Sequence, residues 1–268
     1  MSVIEDKEYL DCRIKEFIKI VLEEFNDKIT ESQKQYILSL LQKESNIIMH
    51  DESINCFYRE GKIYYPLQYY TIIDDIKNND NRYGLRRGKV FVSDESKVMN
   101  DNNYANFFEY AILAGLTPRE VFEMFTLHET MHLCGATGHE PLSEAFTELK
   151  ARELSLKYGI NAACCSYSDE VKIALKLQKI FGKEVCDALI FVPNKYKADY
   201  LSEYLNSECG DLYRQINNEL NLQLLAYQNQ RYELSGIKGI KEALTRYNNK
   251  DYANVYKLLD DFKSIEYK

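Results

Sequence analysis

Residues 128–148, HETMHLCGATGHEPLSEAFTE, contain the residue types that proteins use to bind metal ions and to move protons. This segment holds three of the chain's four histidines and four of its glutamates. Imidazole nitrogens and carboxylate oxygens are common ligands of transition-metal ions, and a carboxylate beside such an ion can act as a general base. The segment therefore predicts a metal site, provided that the local structure brings these groups together.

His128 and His132 have the spacing of a helical ligand pair. In a helix, residues four apart lie on the same face, one turn from each other, so both imidazoles can bind one ion. Glu129 follows the first histidine directly and is predicted to be the general base that acts on water at the metal. The structural alternative is a pair of core histidines that bind backbone groups or carboxylates.

A buried helix is predicted to carry this pair, over the residues LTPREVFEMFTLHETMHLCG. Thr117 can cap it, Pro118 suits its first position, and Glu120 completes a capping box. Gly135 is predicted to end it in a left-handed turn. Apolar residues occupy nearly all sides between these ends, which is typical of a buried helix.

The third ligand has two candidates, because catalytic zinc sites usually have three protein ligands and one open position. His139 nearly completes the extended HExxHxxGxxH pattern of metzincins. However, the spacing is one residue too long, since Gly138 stands where the ligand should be. A shift of one residue in a tight turn points the side chain elsewhere, which counts against His139.

Glu144 is the favoured candidate and lies on a second predicted helix, with Pro141 near its start and Gly159 at its end. Glu148 follows four residues later, on the same face. Two carboxylates at this spacing repel each other, and a divalent cation with its histidine ligands would turn that repulsion into attraction. The alternative is a solvated face on which Glu148 pairs with Arg152. The predicted apolar face of this helix consists of Leu142, Ala145, Phe146, Leu149 and Leu156.

HETMH followed by SEAFTE resembles the gluzincin (thermolysin-like) metallopeptidases, and the E-x-x-T-E helix is similar to that of short-spaced bacterial zincins. The resemblance covers residues 118–148. It implies a zinc ion bound by His128, His132 and Glu144. It also implies that Glu148 is an outer hydrogen-bond partner of His128.

The gluzincin resemblance further implies a zinc-dependent peptidase, in which Glu129 is the general base and a peptide or protein is the substrate. A tyrosine of the C-terminal half is expected to stabilise the oxyanion, with Tyr167 as the nearest candidate. The alternative is a non-catalytic or regulatory zincin-like binding protein. If His139 and Glu144 both bound the metal, the site would be closed and this alternative would be favoured.

The whole chain is predicted to be α+β and mostly helical. The zincin resemblance implies a small N-terminal twisted sheet over the active-site helix, with a helical C-terminal half. Three regions are expected: N-terminal helices and sheet over 1–102, active-site helices over 103–160, and helices over 161–268. One or two amphipathic helices are expected within 5–43, followed by a small sheet over 46–96. This region is expected to contain a hairpin over 54–67 around Glu60-Gly61, a helix near 68–79 and a strand over 88–94. Further helices are expected over 168–181, 195–207, 211–234, 237–248 and 251–265.

Composition excludes several classes of partner. The chain of 268 residues has a formal net charge of −8 and no basic run, which argues against nucleic-acid binding. No stretch of 18 apolar residues occurs, so no membrane span is expected. The acidic start is unlike a signal peptide, and the scattered cysteines, including adjacent Cys164 and Cys165, favour buried free thiols in a cytoplasmic protein. The oligomeric state stays open.

Overall fold

A computed structural model of the chain describes residues 3–51, 56–67, 70, 117–137, 140–160, 168–233 and 252–262, with side chains at all of these except 168 and 223–233. Most of these residues are helical, and a three-stranded sheet accompanies the helices, so the fold is α+β. The elements are α1 Val3–Glu24, α2 Glu31–Leu41, β1 Ile47–His50, β2 Phe57–Arg59, β3 Lys62–Pro66, α3 Pro118–Gly135, α4 Pro141–Tyr158, α5 Ser168–Phe181, α6 Lys183–Leu189, a 3-10 turn Asn194–Tyr196, α7 Lys197–Tyr204, α8 Ser207–Glu233 and α9 Ala253–Asp261.

Two amphipathic helices form the N-terminal region, as predicted. Five apolar residues of α1 are fully buried, Leu10, Ile14, Phe17, Ile18 and Val21, whereas Ile4 near its start is 71% exposed. They recur at three- and four-residue spacing, so they form one stripe, and this stripe packs on α3. Thr30 and Gln33 form a capping box at the start of α2, which satisfies backbone donors that the first helical turn leaves open.

The predicted hairpin is confirmed by strands β2 and β3. Glu60 and Gly61 both have positive φ, 50° and 75°, as a two-residue type I′ turn requires. Strand β3 also pairs in parallel with β1, which the sequence pattern did not single out as a strand. The predicted strand over 88–94 lies outside the described residues, as does the predicted helix over 68–79 apart from residue 70.

Helix α3 begins as predicted, but it ends differently. Thr117 and Glu120 form the capping box, and Pro118 occupies the first turn. The prediction that Gly135 takes the left-handed conformation is wrong, because Ala136 takes it, with φ 49°. Gly135 is the last helical residue, and a Cβ atom there would lie 2.6 Å from the backbone oxygen of Ile190. The glycine is thus needed for a close approach between two backbones.

Helix α4 ends at the left-handed Gly159, as predicted. Its predicted apolar face is wrong at one position, because Leu156 is 87% exposed whereas Leu154 is buried. The first half of the helix is buried on nearly all sides, including Glu144 and Glu148, so it has no solvated face there. Near the end of the helix Leu154 is buried, whereas Leu156 and Lys157 are exposed.

The described parts of the C-terminal region, 168–233 and 252–262, are mostly helical, in agreement with the prediction. The short helix α6 was not predicted, and the helix expected over 237–248 lies outside the described residues. Helix α9 packs on α5 and α8. One continuous cluster of buried apolar residues runs from Leu10 in α1 to Leu259 in α9. No helix within the described ranges combines the length and the apolarity needed to cross a membrane.

Candidate metal centre

Three side chains from α3 and α4 bring their donor atoms to one point. His128 Nε2 lies 3.0 Å from Glu144 Oε2, and His132 Nε2 lies 3.2 Å from the same oxygen. The two Nε2 atoms lie 3.2 Å from each other. All three residues are buried, and the group could hold a metal ion.

The local structure explains why these atoms meet. His128 and His132 lie one turn apart on the same face of α3, as their spacing predicted. Helix α3 ends just before the left-handed Ala136, α4 begins at Pro141, and the two helices pack against each other. Glu144 lies in the first turn of α4 and therefore faces the last two turns of α3.

Glu148 contacts the opposite side of the first histidine. Its Oε2 lies 3.0 Å from His128 Nδ1, and its Oε1 accepts a hydrogen bond of 2.7 Å from Arg152 Nε. Glu148 is completely buried. The sequence left two interpretations of Glu148 open, a partner of His128 or a partner of Arg152, and the carboxylate contacts both residues. The prediction of a solvated face around the pair with Arg152 is wrong, because Glu148 is buried.

Opposing effects act on the pKa of His128. Burial alone would lower it, because the apolar surroundings disfavour the charged imidazolium. The hydrogen bonds to Glu144 and Glu148 outweigh burial, and the negative charges of Glu144 and Glu129 act in the same direction, so the pKa is raised well above its ordinary value. The pocket around His128 therefore favours a positive charge.

Glu129 is buried one residue beyond His128, on the same helix. Its carboxylate is close enough to raise the pKa of His128. Burial of a carboxylate is costly unless positive or donor groups compensate for it. This placement is compatible with the predicted role of Glu129 as a base at the metal site.

Several residues singled out from the sequence lie outside the described residues. These are the alternative ligand His139, the oxyanion candidate Tyr167, and the adjacent Cys164 and Cys165. Five other cysteines are free thiols, of which Cys134, Cys186 and Cys209 are buried, whereas Cys12 is exposed and Cys56 is intermediate.

Thr137, which no sequence pattern singled out, contacts the second histidine. Its Oγ1 lies 3.1 Å from His132 Nδ1, and the residue is 1% exposed. Each histidine of the group thus has a polar neighbour at the nitrogen that faces away from Glu144. A threonine two residues after a predicted helix end carries no signal of such a contact, because the contact depends on how the chain turns.

A buried lysine beside the start of α4 was also missed. Lys197 is 1% exposed, and its ammonium donates a hydrogen bond to Ser143 Oγ, which in turn donates to Asn194 Oδ1 over 2.7 Å. Burial lowers the pKa of Lys197 to about 8, although the charges of Glu140 and Glu144 oppose this shift. A positive charge therefore lies near the metal-site glutamate on the side of α7.

Replacing Glu148 by glutamine is expected to weaken metal binding about 10–100-fold without unfolding the protein, because a polar partner that orients a ligand histidine typically contributes this much. Chelator competition measures the affinity, and circular dichroism checks the fold. Glu153→Gln is the matched control, since Glu153 lies on α4 but pairs with Lys150 and Lys183. Equal affinities of the two variants would show that the bond to His128 does not support the metal.

Replacing Lys197 by methionine is expected to change how stability depends on pH. An unfolded lysine has a pKa of about 10.4, so between pH 8 and 10.4 the unfolded chain binds more protons and the parent protein gains stability as pH rises. With a folded pKa of about 8, the gain relative to Lys197→Met reaches about 3 kcal/mol. Urea unfolding with chelator at several pH values measures it. Lys195→Met, at an exposed position of the same segment, should show no such difference; parallel curves for the parent and Lys197→Met would contradict the expectation.

Within the described residues, three donor atoms from two packed helices thus converge on one point. Each of the three side chains is nearly excluded from solvent. The donor set consists of two imidazoles and one carboxylate, all of which could bind one metal ion. Glu148 and Thr137 contact the outward nitrogens of the two imidazoles. No protein-family model matches this chain, and no curated protein or solved structure shows significant similarity to it.

Proposed function

We propose that the protein is a zinc-dependent metallopeptidase of the gluzincin type, in which His128, His132 and Glu144 bind the metal. The observation that carries this proposal is the meeting of these three donor atoms beside a buried glutamate that directly follows the first histidine. Two imidazoles and one carboxylate are a ligand set of catalytic zinc sites, which keep a fourth position for water or substrate.

The distances between the donors fit such an ion. Zinc binds imidazole nitrogen and carboxylate oxygen at about 2.0–2.1 Å, so neighbouring ligands of a tetrahedral site lie about 3.3–3.4 Å apart. The three observed separations are 3.0, 3.2 and 3.2 Å. Side chains therefore need to move by only a few tenths of an ångström to fit the ion. This donor set favours a transition-metal ion over magnesium and calcium, which prefer all-oxygen sites, and the choice of zinc follows the gluzincin resemblance.

The chemistry divides between the ion and the chain. A zinc ion at this site supplies a Lewis acid that polarises a peptide carbonyl and makes water more acidic. Glu129 accepts the proton of the water that attacks the carbonyl carbon, and it delivers that proton to the leaving nitrogen as the C–N bond breaks. The products are a carboxylate and an amine. Glu148 and Arg152 keep His128 in a fixed orientation throughout.

Burial of the site favours a second candidate, a binding protein with a structural metal ion. His128, Glu129, His132 and Glu144 are at most 6% exposed, whereas a peptidase must admit a peptide to these groups. Two other features distinguish the candidates. A structural metal site needs no general base beside the metal, and it commonly has four protein ligands. Glu129 beside the ligand pair therefore supports the peptidase, and a fourth ligand would support the binding protein.

Incubation of the zinc-loaded protein with a broad peptide library tests the proposal, with mass spectrometry to detect cleavage. A matched sample contains a zinc chelator. Cleavage in the first sample that disappears in the second and returns with added zinc is the expected result. Stoichiometric zinc without any cleavage over long incubation would favour the binding protein, and absence of zinc binding would contradict both candidates.

A further inference from the structure

The turn after α3 places a buried hydroxyl on the second histidine of the metal centre. We propose that Thr137 is a positioning residue that fixes the orientation of the His132 ring, so that Nε2 faces the metal. This inference rests on the proposed metal site, but it concerns a contact that exists in the protein without metal. The observation that supports the inference is the distance of 3.1 Å between Thr137 Oγ1 and His132 Nδ1.

The backbone of the turn holds Thr137 in place. Ala136 adopts the left-handed conformation, and its N–H donates to the carbonyl oxygen of His132. The N–H of Thr137 also lies 3.4 Å from that oxygen. Both the backbone and the side chain of Thr137 therefore contact residue 132, so the turn that ends the helix is also the turn that contacts the ligand.

Packing leaves this turn little freedom. A Cβ atom on Gly135 would lie 2.6 Å from the backbone oxygen of Ile190, the residue that follows α6, and 3.4 Å from Thr137 Oγ1. The helix end is thus confined between the backbone after α6 and the threonine side chain. Thr137 is 1% exposed and His132 is equally buried, so bulk water does not compete for the hydrogen bond.

The hydroxyl can contact His132 in either neutral form, because it can accept a hydrogen bond from Nδ1 or donate one to it. When Nδ1 carries the hydrogen, it donates to Thr137 Oγ1, and the lone pair of Nε2 points to Glu144 and His128. Only this form can bind a metal ion through Nε2. In both forms the contact holds the ring with Nε2 toward Glu144, so the ring needs no rotation when an ion binds.

The two histidines have partners of different charge. His128 Nδ1 contacts the carboxylate of Glu148, whereas His132 Nδ1 contacts a neutral hydroxyl. A carboxylate in place of Thr137 would add negative charge to a centre that already holds three buried carboxylates, those of Glu129, Glu144 and Glu148. Thr137 orients its imidazole without this cost, which explains why a threonine suits the position.

Three variants separate positioning from packing. Thr137→Val keeps the shape but removes the hydroxyl, and Thr137→Ser keeps the hydroxyl. Thr130→Val is the matched control, because Thr130 is a fully buried threonine of the same helix whose hydroxyl donates to the backbone oxygen of Thr126. Zinc affinity is measured by chelator competition. The orientation of the His132 ring is measured in the metal-free protein by NMR, from nuclear Overhauser effects between the ring protons and the side chain at position 137.

Thr137→Val is expected to weaken zinc binding about 10–100-fold, with recovery to within a few-fold of the parent in Thr137→Ser. In the metal-free parent and in Thr137→Ser the His132 ring should keep one orientation, with Nδ1 beside residue 137, and Thr137→Val should lose this preference. A Thr137→Val variant that keeps the ring orientation of the parent, or that binds zinc like Thr130→Val, would overturn the inference. If the parent binds no zinc at all, the proposed function fails, and the ring orientation still decides the role of Thr137.

Discussion

Replacing Glu144 by alanine is expected to abolish stoichiometric zinc binding, whereas replacing His139 by alanine is expected to preserve it. Glu144 Oε2 lies 3.0 and 3.2 Å from the two imidazole nitrogens, so its loss leaves a pair of histidines with no third protein ligand. Protein zinc sites have three or four such ligands. The loss of affinity should therefore exceed the roughly 10–100-fold effect of removing an outer partner.

Metal analysis after equilibrium dialysis measures the occupancy of each variant, and chelator competition measures its affinity. Glu153→Ala serves as the control, since Glu153 lies on the same helix and pairs with lysines away from the centre. Thermal unfolding of the metal-free proteins checks that Glu144→Ala is folded. The metal-free variant is expected to be folded but less stable than its parent, because it loses the buried carboxylate that contacts both imidazoles.

Two other outcomes would change the interpretation. Full occupancy in Glu144→Ala together with loss in His139→Ala would make His139 the third ligand. Loss in both variants would indicate four protein ligands and a closed site, which is the arrangement expected of a structural metal. The second outcome would favour a binding protein over a peptidase.

The parts of the fold that the sequence predicted well depend on local interactions. The start of α3 follows from Thr117, Pro118 and Glu120, which act within the first turn of the helix. The hairpin follows from Glu60-Gly61, whose backbone conformation suits a two-residue turn. The meeting of His128 and His132 on one face likewise needs only helical periodicity. Each of these features could be read from a window of a few residues.

The missed features depend on contacts between distant segments. Strand β1 has four residues and no strong alternation, and it is a strand because it pairs in parallel with β3. Lys197 lies beside Ser143, 54 residues earlier in the chain, and no local pattern marks it as buried. Gly135 ends α3 without a left-handed conformation because the backbone at Ile190 approaches it. Sequence periodicity contains no information about such approaches.

The site shows the same division between local and distant contacts. The spacing within SEAFTE placed Glu144 and Glu148 on one helical face, but the pattern could not show whether that face is solvated. Packing of α4 on α3 buries both carboxylates and directs them to opposite nitrogens of His128. The contact between Thr137 and His132 depends on the left-handed conformation of Ala136. The sequence had predicted this conformation one residue earlier, at Gly135.

Replacing Glu129 by glutamine is expected to leave zinc binding unchanged and to lower kcat/KM for peptide hydrolysis about 10²–10⁴-fold, which is the usual contribution of a positioned general base. Glutamine has nearly the shape of glutamate but cannot accept the proton of the attacking water. Glu129 is buried next to His128 and is not one of the three donors that meet at the candidate metal centre. The variant should therefore separate metal binding from chemistry. Glu123→Gln is the matched control on α3, because Glu123 accepts hydrogen bonds from Tyr9 and Arg13.

Parent, Glu129→Gln and Glu123→Gln are compared at equal zinc content on a peptide that the library screen identifies as a substrate. The expected order is nearly equal rates for the parent and Glu123→Gln, with a much lower rate for Glu129→Gln. A fall in zinc affinity for Glu129→Gln would instead make Glu129 part of the metal-binding group. Equal cleavage by the parent and Glu129→Gln would show that Glu129 is not the base, since a neutral amide cannot accept the proton that the hydrolysis of a peptide bond requires.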